Sequence, residues 1–377
     1  MIRIAHLTTA HPRFDVRIFH KECRSLARHG YQVDLYVADG LGDTQCDGVS
    51  IIDVGRHKGR VNRMLGKTWA VWNRVRTTDA RIVHIHDPEL LPIALALKWM
   101  GRTVVYDAHE DVPRQILNKP WMRPWIRHAI AWPFERLENF IARRCAIVIC
   151  ATPHIAARYA ALGINNVDVN NFPIPGELAD TEHDAGMPPV PGDPRTICYI
   201  GGITRMRGAV EMLRALEQTD ATLILAGPME SSAFQAELEA LPGWQKVDYR
   251  GVLDRDAIRQ ALSEARVGLV LLHPLPNYLD ALPVKMFEYM AAGVPVLASD
   301  FPLWRGILET SQTGHCVDPL NPTAIARTIT DMLAMPSERR EAMRQACYQA
   351  ARNTYNWRNE EAKLLAAYAD LTRTGAA

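Results

Sequence analysis

The residues best suited to chemistry fall into four groups. Within residues 273–300, Lys285 and Glu288 stand three apart, so on a helix they share a face. The ammonium can meet an anion and the carboxylate can accept hydrogen bonds from hydroxyls; a ligand made of phosphate and sugar needs both. A surface salt bridge is the plainer use of such a pair taken alone. Asp280 stands just upstream. The second group is Gly201-Gly202-Ile203-Thr204-Arg205-Met206-Arg207-Gly208. Glycines let backbone N–H groups approach phosphate oxygens and a helix N-terminus favours the anion. The guanidinium forks of Arg205 and Arg207 suit a diphosphate. The third group, His11, Arg13, Asp15 and Arg17, follows the first apolar run. Asp15 has two readings: it orients or deprotonates an acceptor hydroxyl, or it caps the helix that begins at Val16. The fourth group is His84, His86, Asp87, His109, Glu110 and Asp111. A metal reading is tempting, but the spacing puts His84 and His86 on one strand face and fixes no third ligand near them. No metal site is expected.

The elements that must position these groups alternate in type. Residues 2–9 read as a buried strand, 16–29 as an amphipathic helix ended by Gly30, and 31–38 as a second strand. This βαβ opening predicts a parallel sheet. Strands over 81–86, 103–107 and 146–150 follow, and the first two deliver the histidine-rich group at their ends. Residues 167–194 turn polar and proline-rich, with Pro173, Pro175, Pro188, Pro189, Pro191 and Pro194, the composition of a linker. A second alternating half has strands over 195–200, 222–226, 247–250, 267–272 and 295–298. Its key helix, 283–292, is opened by a proline and closed by Gly293. Asp254-Arg255-Asp256 precedes a helix over 257–265, where acids in the first turn are ordinary macrodipole partners. In such α/β folds, ligands bind beyond the carboxyl ends of the strands.

A chain of 377 residues exceeds one ordinary core, so two domains are expected. No apolar run spans a bilayer, and the N-terminus enters a strand with no signal-peptide pattern. Seven scattered cysteines fit a reducing compartment. The net charge is +1, split between the halves. Residues 1–172 hold 24 Lys+Arg and 16 Asp+Glu (+8), leaving 19 and 26 (−7) for the remainder. Residues 56–76 carry seven Lys/Arg and no acid, with Trp69 and Trp72; residues 113–134 add Arg114, Lys119, Arg123 and Arg127 with Trp121, Trp125 and Trp132. Cations interleaved with indoles suit an anionic membrane surface. A solvated face over core tryptophans, or a nucleic-acid patch, would use the same residues; the two stretches together favour the membrane.

Residues 273–300 resemble the carboxyl-terminal signature of the family-4 retaining glycosyltransferases, whose fold is GT-B. The family pattern is a Glu, seven residues, a second Glu, a small-residue helix end and Gly-x-Pro-Val. Glu288 matches the second Glu, and Gly293, Pro295 and Val296 match the tail; Asp280 stands where the family has its first Glu. Leu282-Pro283-x-Lys285-x-Phe287-Glu288-Tyr289-Met290 resembles a subgroup common in polysaccharide assembly. Arg207-Gly208 matches the family's Lys-Gly step, while Gly202 replaces an Arg, and the first loop lacks the usual glycines. His86-Asp87 and Tyr106-Asp107-x-His109-Glu110 resemble the two amino-terminal site loops.

The resemblance implies an α/β GT-B fold: two Rossmann-like domains facing across a cleft, with the final helix crossing back to the first domain. The expected boundaries are 1–170 for the acceptor side, 171–194 for the linker, 195–356 for the nucleotide-sugar side and 357–377 for the returning helix. Glu288 is then expected on the ribose, Asp280 and His109 near the sugar, and Gly201, Gly202, Arg205, Arg207 and Lys285 around the diphosphate. The implied activity is retaining transfer of a sugar from a UDP- or GDP-sugar to a hydroxyl. A cationic cluster can stabilise the departing diphosphate without a metal, so no cofactor is expected. The expected partners are a nucleotide sugar, a lipid-linked oligosaccharide acceptor and an anionic membrane surface, with no nucleic acid. The place of action is then the cytoplasm, peripheral at the inner face of the cell membrane. Two alternatives stay open: a sugar-nucleotide epimerase or hydrolase on the same fold, and a non-catalytic partner subunit.

Overall fold

The computed structural model describes residues 1–56, 58–117, 122–178 and 193–374. The chain forms two units, Met1–Asn171 with Arg358–Ala377, and Phe172–Trp357.

The first unit is built on strands β1 (Arg3–Leu7), β2 (Gln32–Val37), β3 (Thr44–Cys46), β4 (Val49–Asp53), β5 (Ile82–Ile85), β6 (Thr103–Ala108), β7 (Ile147–Cys150) and β8 (Asn166–Asp168). Their order is β3-β4-β2-β1-β5-β6-β7-β8. All neighbours are parallel except β3 and β4. The central strands are apolar runs buried along their length, as a sheet covered on both faces requires. Strand order reverses between β1 and β5, which opens a crevice at their carboxyl ends. The β3–β4 hairpin was not expected from the periodicity. It turns on Asp47 and Gly48, both at positive φ, and the Asp-Gly dipeptide was its only sequence signal.

The segment after β1 differs from the regular helix expected. Val16–Cys23 is π-helical, and His20 N–H donates to the Asp15 carbonyl five residues back, at 3.2 Å. This wider turn brings residues five apart onto one face, and both Arg17 and Glu22 are buried. The last helix, Trp357–Thr374, is fastened to the first unit. Glu360 Oε2 accepts from Asn170 N–H at 2.7 Å, and Lys363 Nζ meets Asp168 Oδ2 at 2.9 Å.

The second unit has six parallel strands: β9 (Thr196–Ile200), β10 (Thr222–Ala226), β11 (Val247–Gly251), β12 (Val267–Val270), β13 (Val296–Ser299) and β14 (Gly314–Val317). Their order is β11-β10-β9-β12-β13-β14, so the switch point lies between β9 and β12. The helix Val284–Ala291 buries Met286, Phe287, Tyr289 and Met290. Its Tyr289 Oη accepts from Ile200 N–H at 3.0 Å, which ties the helix to the end of β9. Part of the stretch expected as linker belongs to this core: Phe172 packs edge-on against Phe287 and Tyr355. Pro188, Pro189 and Pro191 lie outside the described residues.

Candidate active site

In the second unit, β9 ends in Gly201-Gly202, directly beside the start of the Val284–Ala291 helix. A Cβ at Gly201 would stand 3.0 Å from Lys285 Nζ, and one at Gly202 would stand 2.7 Å from Arg207 Nη1. The two glycines leave room for both cations at the strand end. The Lys285 ammonium lies 3.8 Å from the Tyr199 ring centroid, a favourable cation–π placement. Its nitrogen is nevertheless buried with no hydrogen-bond partner among the described residues. Burial first, then the Arg207 charge, holds the Lys285 amine well below its ordinary range, against a smaller upward pull from Glu288. An ammonium so placed is short of an anion. Arg207 Nη1 donates to the Gly202 carbonyl at a long 3.4 Å.

Glu288 faces the same region, but its carboxylate is already engaged. Arg255 Nη1 donates to Glu288 Oε1 at 2.7 Å, while Arg255 Nε pairs with Glu177 Oε1 at 2.9 Å. The sequence reading missed Arg255, treating its Asp-Arg-Asp as helix-end acids. Asp254 does cap its helix, accepting from Ala257 N–H at 2.9 Å. Arg205 departs from expectation. Its guanidinium donates to Glu237 and lies 5.2 Å from the Phe234 ring centroid, so those two residues of the Ser232–Glu239 helix hold it. Asp280 ends the short helix Pro276–Leu279, which lies within what was expected as plain loop. Trp304 Nε1 donates to the Ala281 carbonyl at 2.7 Å and pins the next residue.

In the first unit the switch-point loops meet at two carboxylates. Asp87 accepts from Thr8 Oγ1 at 2.8 Å and Ala10 N–H at 3.0 Å, and pairs with His11 Nδ1 at 3.0 Å. Burial pushes its carboxyl up, but His11 and the Thr8 and Thr9 hydrogen bonds outweigh this and hold it far below the usual range. Asp107 takes both forks of Arg17, at 3.0 and 2.8 Å, and also meets His109 Nε2 at 2.9 Å and His86 Nδ1 at 3.2 Å. Burial would raise Asp107, yet Arg17 and then His109 keep it strongly acidic. His109 is thereby fixed at the end of β6, partly exposed. Asp15 is a helix cap: its Oδ1 accepts from Arg17 N–H at 2.9 Å and Ile18 N–H at 3.0 Å.

His84 and His86 do not stand alone on their strand face. His84 and His86 are joined by His6 and Glu22, one donor atom of each lying within 4.8 Å of the others. His6 is the register partner of His84 across β1 and β5, which spacing along one strand could not reveal.

Of the basic stretches, Trp69, Trp125 and Trp132 are exposed, with Val61, Leu65 and Ile130; Trp72 packs on the core. Lys119 and Trp121 lie outside the described residues. Among the described residues no helix is long and apolar enough to cross a membrane.

The pattern of the family described as "Glycosyl transferase 4-like domain" matches residues 16–174, and that of "Glycosyl transferases group 1" matches residues 180–353. The chain is a group 1 glycosyltransferase of the GT-B fold. The transferase is 23% identical over 326 residues to a phosphatidyl-myo-inositol mannosyltransferase of Mycobacterium leprae, covering 81% of this chain and 79% of the relative. Its fold is similar to that of sucrose-phosphate synthase from Thermosynechococcus elongatus, with a TM-score of 0.76, 16% identity, and coverage of 99% and 100%. An Anabaena protein solved in complex with UDP and glucose superposes with a TM-score of 0.71 at 13% identity, covering 98% of this chain and 100% of that one. In the transferase, then, Lys285, Arg207 and the Gly201-Gly202 turn come together, Glu288 stands at the edge with Arg255, and Arg205 stays apart.

Proposed function

We propose that the enzyme moves a sugar from a UDP- or GDP-linked donor to a hydroxyl of a lipid-linked glycan acceptor, with retention of configuration, in cell-surface polysaccharide assembly. The observation that carries the donor assignment is the buried Lys285 ammonium without a hydrogen-bond partner, set beside Gly201 and Arg207. A diphosphate supplies the missing anion, and the two cations answer the negative charge that grows on it as the glycosidic bond breaks. Loss of one such preorganised donor costs about 3–4 kcal/mol of transition-state stabilisation. Glu288 takes the ribose hydroxyls after exchanging part of its contact with Arg255. Asp280 and His109 act toward the sugar. Asp15 keeps Oδ1 on its cap and presents Oδ2 to the acceptor. No metal and no nucleic acid take part in this reading.

The acceptor assignment draws on different support. A relative named for mannosyl transfer to phosphatidyl-myo-inositol favours a hydroxyl carried on a lipid. The exposed Trp69, Trp125 and Trp132 among cations favour peripheral contact with the inner, anionic face of the cell membrane. Vesicle flotation tests that contact: binding should rise with anionic lipid and fall with salt, and indifference to lipid charge would remove it.

The test of the whole reading is calorimetric titration of UDP, GDP, ADP and TDP, with and without a chelator. One nucleoside diphosphate should bind in both conditions. Failure of all four to bind would contradict the transferase assignment of this pocket.

A further inference from the structure

We propose that the first unit holds one structural divalent cation of the zinc class, ligated by His6, His84, His86 and Glu22. This ion is separate from the donor chemistry proposed above. His6 and His84 are register partners on β1 and β5, and His84 and His86 share a strand face two residues apart. The three rings therefore gather on one side of the sheet, with centroids 4.5 Å apart for His6–His84 and for His84–His86. The π-helical turn lowers Glu22 onto them. All four side chains are buried, and one donor atom from each lies within 4.8 Å of the other three. Ligands on a tetrahedral zinc ion stand roughly 3.4 Å apart, so the wider pairs must draw in and the His6–His86 pair, hydrogen-bonded at 2.9 Å, must open slightly.

The surroundings orient the donors as a metal needs. His84 Nδ1 is bound to Tyr368 Oη at 2.8 Å and His86 Nδ1 to Asp107 Oδ2 at 3.2 Å. Each bond turns the other nitrogen, Nε2, toward the cluster, the outer-shell arrangement that metal-ligating histidines use. His86 Nε2 faces His6 Nδ1 at 2.9 Å. Among the described residues, His84 Nε2 and both Glu22 oxygens have no hydrogen-bond partner. Arg17 lies 3.1 Å from Glu22, but its Nε–H is directed to Asp107, so Glu22 gains attraction without a hydrogen bond. Orphaned buried groups are costly, and a shared cation satisfies them together. Three imidazoles and one carboxylate select zinc or a similar borderline ion over magnesium or calcium. Four protein ligands and no solvent access make a closed, structural site. The neighbouring trio His86, Asp107 and His109 carries no such site, because Arg17 and the two histidines already occupy both Asp107 oxygens.

The test is metal analysis of the purified full chain by mass spectrometry, before and after chelator dialysis, with zinc and cobalt(II) titration of the stripped protein. The expected result is about one equivalent of zinc, a zinc-dependent rise in melting temperature and a tetrahedral cobalt absorption band. His84→Gln and Glu22→Gln should each lower the stoichiometry. If both variants fail to fold, the cobalt band of the wild type decides alone. Less than about a tenth of an equivalent with no zinc-dependent thermal shift would overturn the proposal, as would metal content unchanged in His84→Gln.

Discussion

Asp107 and Asp87 in the first unit and Lys285 in the second treat buried charge in opposite ways. In the first, Asp107 is saturated by Arg17, His86 and His109, and Asp87 by His11 and the Thr8–Ala10 loop. Both carboxylates meet their partners within the same unit, and those bonds tie the loops together. In the second, the Lys285 ammonium is buried without a hydrogen bond, and Arg207 beside it makes the local excess worse. A saturated network positions groups, whereas an unsatisfied one recruits a ligand. The contrast separates scaffold from binding pocket without reference to any relative.

The largest expected effect lies on the scaffold side. Asp107→Asn removes the carboxylate that takes both forks of Arg17 and leaves only Glu22, at 3.1 Å, to offset that buried charge; breaking a buried pair costs about 3–5 kcal/mol. Denaturant unfolding should show that loss in the first unit. An unchanged midpoint would mean that the pair is not what holds the loops. On the pocket side, Lys285→Ala should reduce kcat/KM about 10²–10³-fold with the far-ultraviolet circular dichroism unchanged.

A smaller effect is a proton linkage. The amine of free Lys285 is depressed by burial, and a bound diphosphate raises it again. Between those two values nucleotide binding takes up a proton, so affinity falls as pH rises through the window. Calorimetry in buffers of different ionisation enthalpy should detect the uptake in the wild type and not in Lys285→Met. For the unliganded protein the sign is the same as for any depressed group: stability is greatest above the unfolded lysine value and declines as pH falls through the folded one. The smallest effect belongs to Arg205→Ala. With its guanidinium on Glu237 and Phe234, nucleotide affinity should change by less than about 2-fold, the scale of an exposed ion pair. A loss comparable to that of Lys285→Ala would return Arg205 to the diphosphate.

Much of the fold was legible because buried parallel strands read as apolar runs and helices as amphipathic ones. The glycine turn after β9 and the Lys285–Glu288 helix face were visible for the same reason, being local in sequence. What stayed hidden depends on partners far apart in the chain. Arg255 reaches Glu288 across 33 residues, and His6 reaches His84 only through strand register. Glu237, which competes with a phosphate for Arg205, lies 32 residues away and is not visible in the sequence. The two meanings of Asp15 could not be parted by spacing, since a cap and a site acid both sit before the first helical turn. Its two bonds to backbone N–H groups establish the cap.

The central claim is that Lys285 is kept buried and without a hydrogen bond for a diphosphate, at a cost to the unliganded protein. Thermal unfolding of wild type and Lys285→Met, each with and without the cognate nucleoside diphosphate, tests it directly. The variant should melt about 2–4 °C higher than wild type without nucleotide, the shift that roughly 1 kcal/mol produces in a unit of this size. It should also lose the stabilisation that nucleotide confers on wild type. A variant that melts lower than wild type when unliganded, or one that keeps the full nucleotide-induced shift, would contradict it.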